Sequence, residues 1–590
     1  MRKSALFATN KKPAGNQKLR GGYYTPPKLA NYLARWALRG GQERVLEPSA
    51  GDGNFVVACL EETNNSRKER GRNSLQIVAV EIEEDEINKG KDRARAQVTR
   101  HRSVSWIKGD FFTVYESLKD EEPFDAIVGN PPFIRFQYFD ENSREAAFRH
   151  LRGSGYTPTK LANAWVAFVQ LSIELLKEGG RLAMVVPAEL LQVKYAGQLR
   201  SRLSKQFTHI VLIGFKKLVF PEIQQEVLLL LAEGRRQSGG VPSDIHTIEY
   251  EDGEDLVSHD NITDAIAHVH TKHSRNGMKW TSLFISNGSF DILDEAERAP
   301  GLIPLGKLAE VDIGIVTGRN SFFVVARDLR KQLGVEKYSI PIIGRTSALT
   351  SVLFRDSDFD KYEQGYPAYL LSLVGVAERL FPAALREYIE SGEREQVHLG
   401  FKCRMRQRWF DVPSVYIPQG FMFRQIHRYP LLVVNEAQVT STDTVHRVRF
   451  KKGIKPRFLA TTFFNSLTLA WAEVCGRSYG GGVLELEPRE AEELPIPYNE
   501  DLNLDTEKVD GLLRKGCEGE ALDYVDRVVL QENLGFDPAM IRKLRKACDE
   551  LRDRRINRKQ PVKVSMWRKR KATEPWCKQR DMEYTIATIP

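Results

Sequence analysis

The stretch FDAIVGNPPFIRFQ, Phe124 to Gln137, decides how this chain is read, because an apolar run of strand type passes directly into Asn130-Pro131-Pro132-Phe133. Proline has no N–H to give a sheet ladder, so the strand must end there. What the turn is for depends on its neighbours. Working outward, Val45 to Leu231 alternates short apolar runs with longer amphipathic segments: RVLE, QIVAVEI, SWIKGD, FDAIVGN, RLAMVVP, HIVLIGF and EVLLLLA. Near-continuous apolar strands between helical patterns predict an α/β fold whose parallel sheet is covered on both faces. Only KKLVFPEIQQ joins the last two runs, too short for a helical crossover. The expectation is a Rossmann-like sheet of seven strands with the last one reversed.

In such a sheet, ligands bind beyond the carboxyl ends of the strands, so the residues there carry the functional reading. The first strand leads into VLEPSAGDGNF, where Gly51 and Gly53 allow a ligand close to the backbone. This is neither GxGxxG nor a phosphate loop with its Lys-Ser/Thr, so no pyrophosphate or nucleoside triphosphate is indicated. The second strand ends in Glu81, where a carboxylate can take both hydroxyls of a ribose. The third ends in KGDFF, placing Asp110 to accept from an adenine amine and Phe111 to stack on its ring. Together these describe a pocket for an adenosine-like group. At the fourth strand end, the Asn130 side chain and the backbone carbonyl before the second proline are two acceptors held rigidly by Pro131 and Pro132. Two fixed acceptors suit a planar amine. Accepting both its hydrogens frees the nitrogen lone pair for attack and stabilises the charge that develops, while Phe133 stacks on the ring that bears the amine.

Bulk properties set limits. At 590 residues the chain fits two or three domains, and its 42% apolar and 28% charged residues are those of an ordinary soluble protein. No apolar run reaches the roughly eighteen residues of a membrane span, and the basic N-terminus lacks an export signal, so a cytoplasmic protein is expected. The six cysteines form no CxxC pair, which signals neither a disulfide framework nor a zinc site. His268, His270 and His273 have no acidic or cysteine partners at ligand spacing and read as a surface cluster, so no metal is expected. The net charge of +9 suits a polyanionic partner.

The order and spacing of these motifs resemble the S-adenosylmethionine-dependent N6-adenine DNA methyltransferases of restriction-modification systems, in the gamma arrangement with an NPPF/NPPY segment. The resemblance runs to about residue 500. It begins at GGYYTPPKLANYLARWAL, which implies that Tyr24, Thr25 and Pro26 lie beside the methionine end of the cofactor. EPSAGDGNF is similar to the family's glycine motif, which implies cofactor contacts from Glu47, Ala50, Gly51 and Gly53. Its Ser-Ala-Gly departs from the commoner Ala-Cys-Gly at a position that mostly uses backbone. LVFPEIQQEVLLLLA resembles a late aromatic motif in which Phe220 stacks on the far face of a flipped base. The implied activity is methyl transfer to adenine N6 at a specific site in double-stranded DNA, by base flipping and in-line displacement.

After the Gly/Ser/Pro-rich GRRQSGGVPSD the pattern shifts to shorter strands, among them YSIPII, SVYIP, PLLVVN and HRVRF, with KPRFLATTFFNSLTLAWAEVCG reading as one helix. The expected organisation is a catalytic domain over 1–235, a connector over 236–300, a mixed α/β target-recognition domain over 301–500, and a helical basic tail over 501–590. Arg404, Arg406 and Arg408 beside Trp409 and Phe410, and Arg424, His427 and Arg428, interleave charge with aromatic rings and are the candidate DNA contacts. A separately acting restriction endonuclease is the implied partner. Two other readings stay open: a catalytically silent DNA-binding subunit of a defence system, and a methyltransferase of an RNA or protein amide. The long region after residue 300 favours DNA.

Overall fold

The alternation of strands and helices between residues 43 and 250 closes into one eight-stranded sheet. Its strands are β1 (Glu43–Glu47), β2 (Leu75–Glu81), β3 (Arg102–Lys108), β4 (Phe124–Gly129), β5 (Leu176–Pro187), β6 (His209–Phe215), β7 (Val227–Glu233) and β8 (Asp244–Tyr250), in the order β3-β2-β1-β4-β5-β7-β6-β8. The computed structural model describes residues 24–557 except 40–42, 67–73, 160–161, 218, 220–225, 238–239, 260–265, 267–268, 270, 275–276 and 480–481.

Neighbours from β3 across to β5 are parallel, whereas β7 runs antiparallel to both β5 and β6. Side chains alternate across the sheet. Val45, Ile77, Ala79, Ala126, Val128, Ala183 and Val185 share one apolar cluster. The intervening Leu46, Val78, Val80, Ile127, Leu182 and Met184 are buried as well, so both faces are covered and the strands read as unbroken apolar runs. Burying one Ile127 is worth ~1.5–3 kcal/mol. That outweighs the Lys177–Asp125 ion pair at the foot of β4 (3.1 Å), in a class worth ~0–1 kcal/mol, so packing dominates here.

The eighth strand corrects the expected count of seven. Asp244–Tyr250, assigned from sequence to the connector, pairs in parallel with β6 from His209↔Asp244 to Phe215↔Tyr250. It is an edge strand with several half-exposed positions, so DIHTIEY lacks the apolar continuity of its neighbours. The chain divides into two compact units, one ending at Phe284 and the other starting at Ile285. The connector therefore belongs partly to each.

In the second unit a five-stranded sheet has the order Ala309–Asp312, Val445–Phe450, Gly420–Phe423, Leu432–Asn435, Leu353–Phe354. The expected strand SVYIP does not form, and Ser414 there takes φ 59°. The expected single helix is two, Pro456–Phe463 and Ser466–Cys475. Asn465 causes the break: its Oδ1 accepts the Thr468 N–H at 3.0 Å and caps the second helix. Residues after 500 are no separate extension as far as Asn557, since Val509, Leu513, Val525, Leu544 and Leu551 share one core with Val433 and Val448. Of the basic cluster, Arg555 is buried against Glu473 (2.6 Å), and residues 558–590 lie outside the described residues. Among the described residues, no helix is long and apolar enough to cross a membrane.

Candidate active site

Strand order reverses beside β1, with β2 on one side and β4 on the other. A crevice must open there at the carboxyl ends of the strands. It is a cavity of about 740 Å³, and its walls include Tyr24, Thr25, Glu47, Ala50, Gly51, Glu81, Asp110, Phe111, Asn130 and Pro132. Most of the residues expected at the site therefore meet in one place.

The glycine loop after β1 is shaped by Gly51, whose φ of +53° is a left-handed conformation that side chains rarely adopt. Glu81 fixes this loop from β2: its carboxylate accepts the N–H groups of Gly51 (2.7 Å), Ile82 (2.9 Å) and Glu83 (3.0 Å). Burial nevertheless holds the Glu81 carboxyl above the usual range, against the lowering effect of those three bonds. Asp110 caps the helix Phe111–Lys119 by accepting the Phe112 N–H at 2.8 Å, and burial raises its pKa too. A plain capping role thus accounts for one of its oxygens. Phe111 is almost fully buried and stacks on Phe168, with ring centroids 5.1 Å apart and planes at 17°.

Glu47 is strongly perturbed electrostatically. Only 2% of it is exposed, and its Oε2 has no hydrogen-bond partner. Desolvation pushes its pKa well above the usual carboxylate value, and the nearby Glu81 and Asp52 push it further. Thr25 Oγ1, in the same wall, is also buried without a partner. Two orphaned polar atoms facing one cavity are the mark of a site built for a ligand. The wall also holds Asp52, Glu83, Glu86 and Asp140, against a single lysine, Lys89. The wall is thus rich in carboxyl groups.

The β4 turn enters the same wall through Asn130 and Pro132, and Ser49 Oγ donates to the Asn130 carbonyl at 3.4 Å, tying it to the glycine loop. Four expected residues stand behind the wall. Pro26 supplies the carbonyl that accepts from Leu29 and Ala30 at the start of Pro27–Ala37. Gly53 is a packing residue, because a Cβ there would lie 3.0 Å from Gly90 Cα and 3.2 Å from the Trp106 ring. Pro131 is buried, and Phe133 packs, half-buried, against the core. Phe220 lies outside the described residues, as do His268 and His270. Among the described residues no cluster could hold a metal ion.

Sequence reading missed Ile82, Ile134, Tyr138 and Phe139, which give the cavity its apolar wall. The aromatic run FIRFQYF was the available signal: Phe136 sits 5.0 Å from Phe148 and 5.4 Å from Phe139 and anchors the turn that carries them.

The candidate DNA contacts divide sharply. Arg406 gives its guanidinium to the carbonyls of Val316 (3.1 Å), Thr317 (2.6 Å) and Trp409 (3.2 Å). Arg408 makes a fork with Asp411 (2.8 and 2.9 Å) and bonds the Val376 and Leu373 carbonyls. Arg424 is held by Glu485 (2.7 Å) and Glu487 (3.3 Å). These three expected DNA contacts are each tied to neighbouring groups of the protein, and all three are only partly exposed. Trp409 packs against Phe322 at 5.2 Å and donates to Glu393 at 3.1 Å. Arg404, His427 and Arg428 remain exposed, Arg428 with Glu518 at 3.7 Å.

Comparison with known proteins adds what the chain is similar to. A model described as Eco57I restriction-modification methylase matches residues 54–220, and one described as the C-terminal domain of type II methyltransferase M.Eco57I matches 277–530. Type II methyltransferase M.AccI of Acinetobacter calcoaceticus is 24% identical over 520 residues, covering 85% of this chain and 87% of that protein. M.XamI of Xanthomonas campestris pv. amaranthicola is 23% identical over 509 residues, covering 83% and 88%. A solved DrdV–DNA complex aligns with TM-score 0.47 and 12% identity, covering 74% of this chain and 50% of that one.

Proposed function

From the premise that this chain is a DNA methyltransferase of the restriction-modification type, we propose that it methylates the exocyclic N6 amine of adenine at a specific site in double-stranded DNA. The observation that carries the reading is the single cavity in which Glu47, Glu81, Asp110 and Asn130 meet. The methyl donor is S-adenosylmethionine, which fits this cavity because it brings two cationic centres to a wall rich in carboxylates. When bound it supplies an electrophilic methyl group.

The residues divide the work by position. Glu47 and Thr25 receive the donor's ammonium end, whose charge lets a carboxyl otherwise kept neutral by burial ionise. Glu81 turns its remaining lone pairs to the ribose, and Asp110, with the exposed Ile82 beside Glu81, frames the adenine. The Asn130 side chain and the Pro131 carbonyl accept the two hydrogens of the target amine, which sharpens the lone pair and stabilises the developing cation. Phe133 stacks on the target ring, with Phe220 on its other face. No general base is needed, since the product ammonium is acidic enough to lose a proton to water. The adenine must leave the duplex stack to reach this turn, at a cost of a few kcal/mol offset by contacts elsewhere on the DNA. The unit that starts at Ile285 is assigned to target recognition, and its partner in biology is a restriction endonuclease acting separately on the same site.

The test is methyl transfer from labelled S-adenosylmethionine to unmethylated DNA, with digestion to nucleosides. Label in N6-methyldeoxyadenosine is expected. Label in a cytosine derivative, in RNA or in protein would overturn the reading.

A further inference from the structure

One short helix on the second unit exposes what soluble proteins normally hide. In Phe401–Arg404, continued by the helical Met405, Phe401 is 66% exposed and Met405 74% exposed. At 100° per residue, Phe401, Lys402, Arg404 and Met405 fall on one arc, while Cys403 points the other way and is buried. The loop beside this helix adds Val316, 38% exposed. Loop and helix form one platform: Arg406 ties them through the Val316 and Thr317 carbonyls, and Gly318, with φ +90°, brings the loop so close that a Cβ would lie 3.1 Å from Lys402 Cβ. The half-buried arginine thus builds the surface on which the exposed groups stand.

The charge of the surroundings selects the occupant. Nearby carboxylates are engaged: Asp411 by Arg408, Glu393 by the Trp409 N–H, and Glu395 by Arg319 at 3.8 Å. Lys402 and Arg404 are exposed cations at the edge of an apolar patch, and among the described residues no carboxylate is paired with either. Two cations with no carboxylate beside them among the described residues favour a polyanion, and a duplex presents phosphates on either side of a groove whose base edges include apolar thymine methyls and sugar faces. We propose that Phe401, Met405 and Val316 touch bases and sugars in a DNA groove while Lys402 and Arg404 meet the flanking phosphates. This rests on the DNA reading above and assigns it a surface.

The two kinds of contact have different signatures. Losing an apolar base contact weakens binding at every salt concentration, whereas losing a phosphate contact reduces the salt dependence. Full-length protein is titrated against a fluorescent duplex carrying the site mapped in DNA it has methylated, at several salt concentrations. Sheared genomic DNA replaces that duplex if no DNA is methylated. The double variant Phe401→Ala, Met405→Ala is expected to bind about tenfold more weakly with an unchanged salt slope. Lys402→Ala and Arg404→Ala are each expected to lower the slope by about one. Melting and S-adenosylmethionine binding, expected to match the parent, guard against misfolding. Affinities within about twofold and slopes within about half a unit of the parent, with methylation intact, overturn this surface and leave the methylation reading standing. DNA binding without methylation overturns that reading while the surface is judged on affinity alone. No DNA binding by the parent overturns both, and a change in sedimentation mass in place of DNA affinity identifies a protein interface and overturns the proposal.

Discussion

Glu47 concentrates the conflict between stability and binding in one side chain. It is buried beside two other carboxylates, and its folded pKa is raised, first by desolvation. Between the unfolded value and the raised folded value, the folded state holds the extra proton, so stability is lost as pH rises through that window. Glu47→Gln removes the penalty: the cofactor-free variant should melt above the parent, by a margin that grows as pH rises above the ordinary carboxylate range. The same change should weaken S-adenosylmethionine binding by about tenfold or more, the loss of one charge-assisted bond. Calorimetry checks both. Asn130→Ala should do the reverse, lowering kcat by roughly 10²–10³ while cofactor affinity stays within threefold. Single-turnover transfer checks the first and equilibrium binding the second. At this scale sequence reading located the cavity but not the fate of each arginine. Arg404 and Arg406 are two residues apart and look alike in sequence. Only the carbonyls of Val316 and Thr317, some ninety positions upstream, decide that one turns inward.

The elements that place the site were legible wherever burial was complete. β1, β4 and β5 are covered on both faces and announce themselves as apolar runs, whereas β8, at an edge, does not. The split between Pro456–Phe463 and Ser466–Cys475 was hidden inside continuous apolar sequence, and the cap at Asn465 was the missed signal. Asn465 also donates to the Thr462 carbonyl (2.7 Å) and Thr468 Oγ1 (2.8 Å), so Asn465→Ala should cost about 2 kcal/mol by urea unfolding. The glycine motif is likewise part packing. At Gly90 a Cβ would sit 2.3 Å from the Trp106 ring that also contacts Gly53. Gly90→Ala should therefore destabilise the protein by about 1–3 kcal/mol, with cofactor affinity falling as the loop shifts. A melt in saturating S-adenosylmethionine separates the two effects, because added ligand restores stability only if the loop still closes.

Across the whole molecule, charge is sorted by ligand. The chain carries +9 overall, yet the cavity wall holds seven acidic side chains, Glu47, Asp52, Glu81, Glu83, Glu86, Asp110 and Asp140, and one lysine. The basic surplus lies elsewhere and suits a polyanion, while the cavity suits a cation. Methyl transfer removes the sulfonium charge, so the demethylated product should bind roughly tenfold or more weakly than the donor, with a gap that narrows as salt rises. Competition calorimetry at low and high salt checks this. Sequence composition set off a connector over 236–300 and a tail over 501–590, whereas residues near 250 pack with the first unit and those after 500 with the second, because long-range pairing is invisible to local composition. The most direct test of adenine methylation at the β4 turn is single-molecule sequencing of DNA from cells expressing the parent protein or Asn130→Ala. N6-methyladenine in one sequence context with the parent, and none with the variant, is the predicted result. Its absence with the parent, or identical marks with the variant, would contradict the assignment.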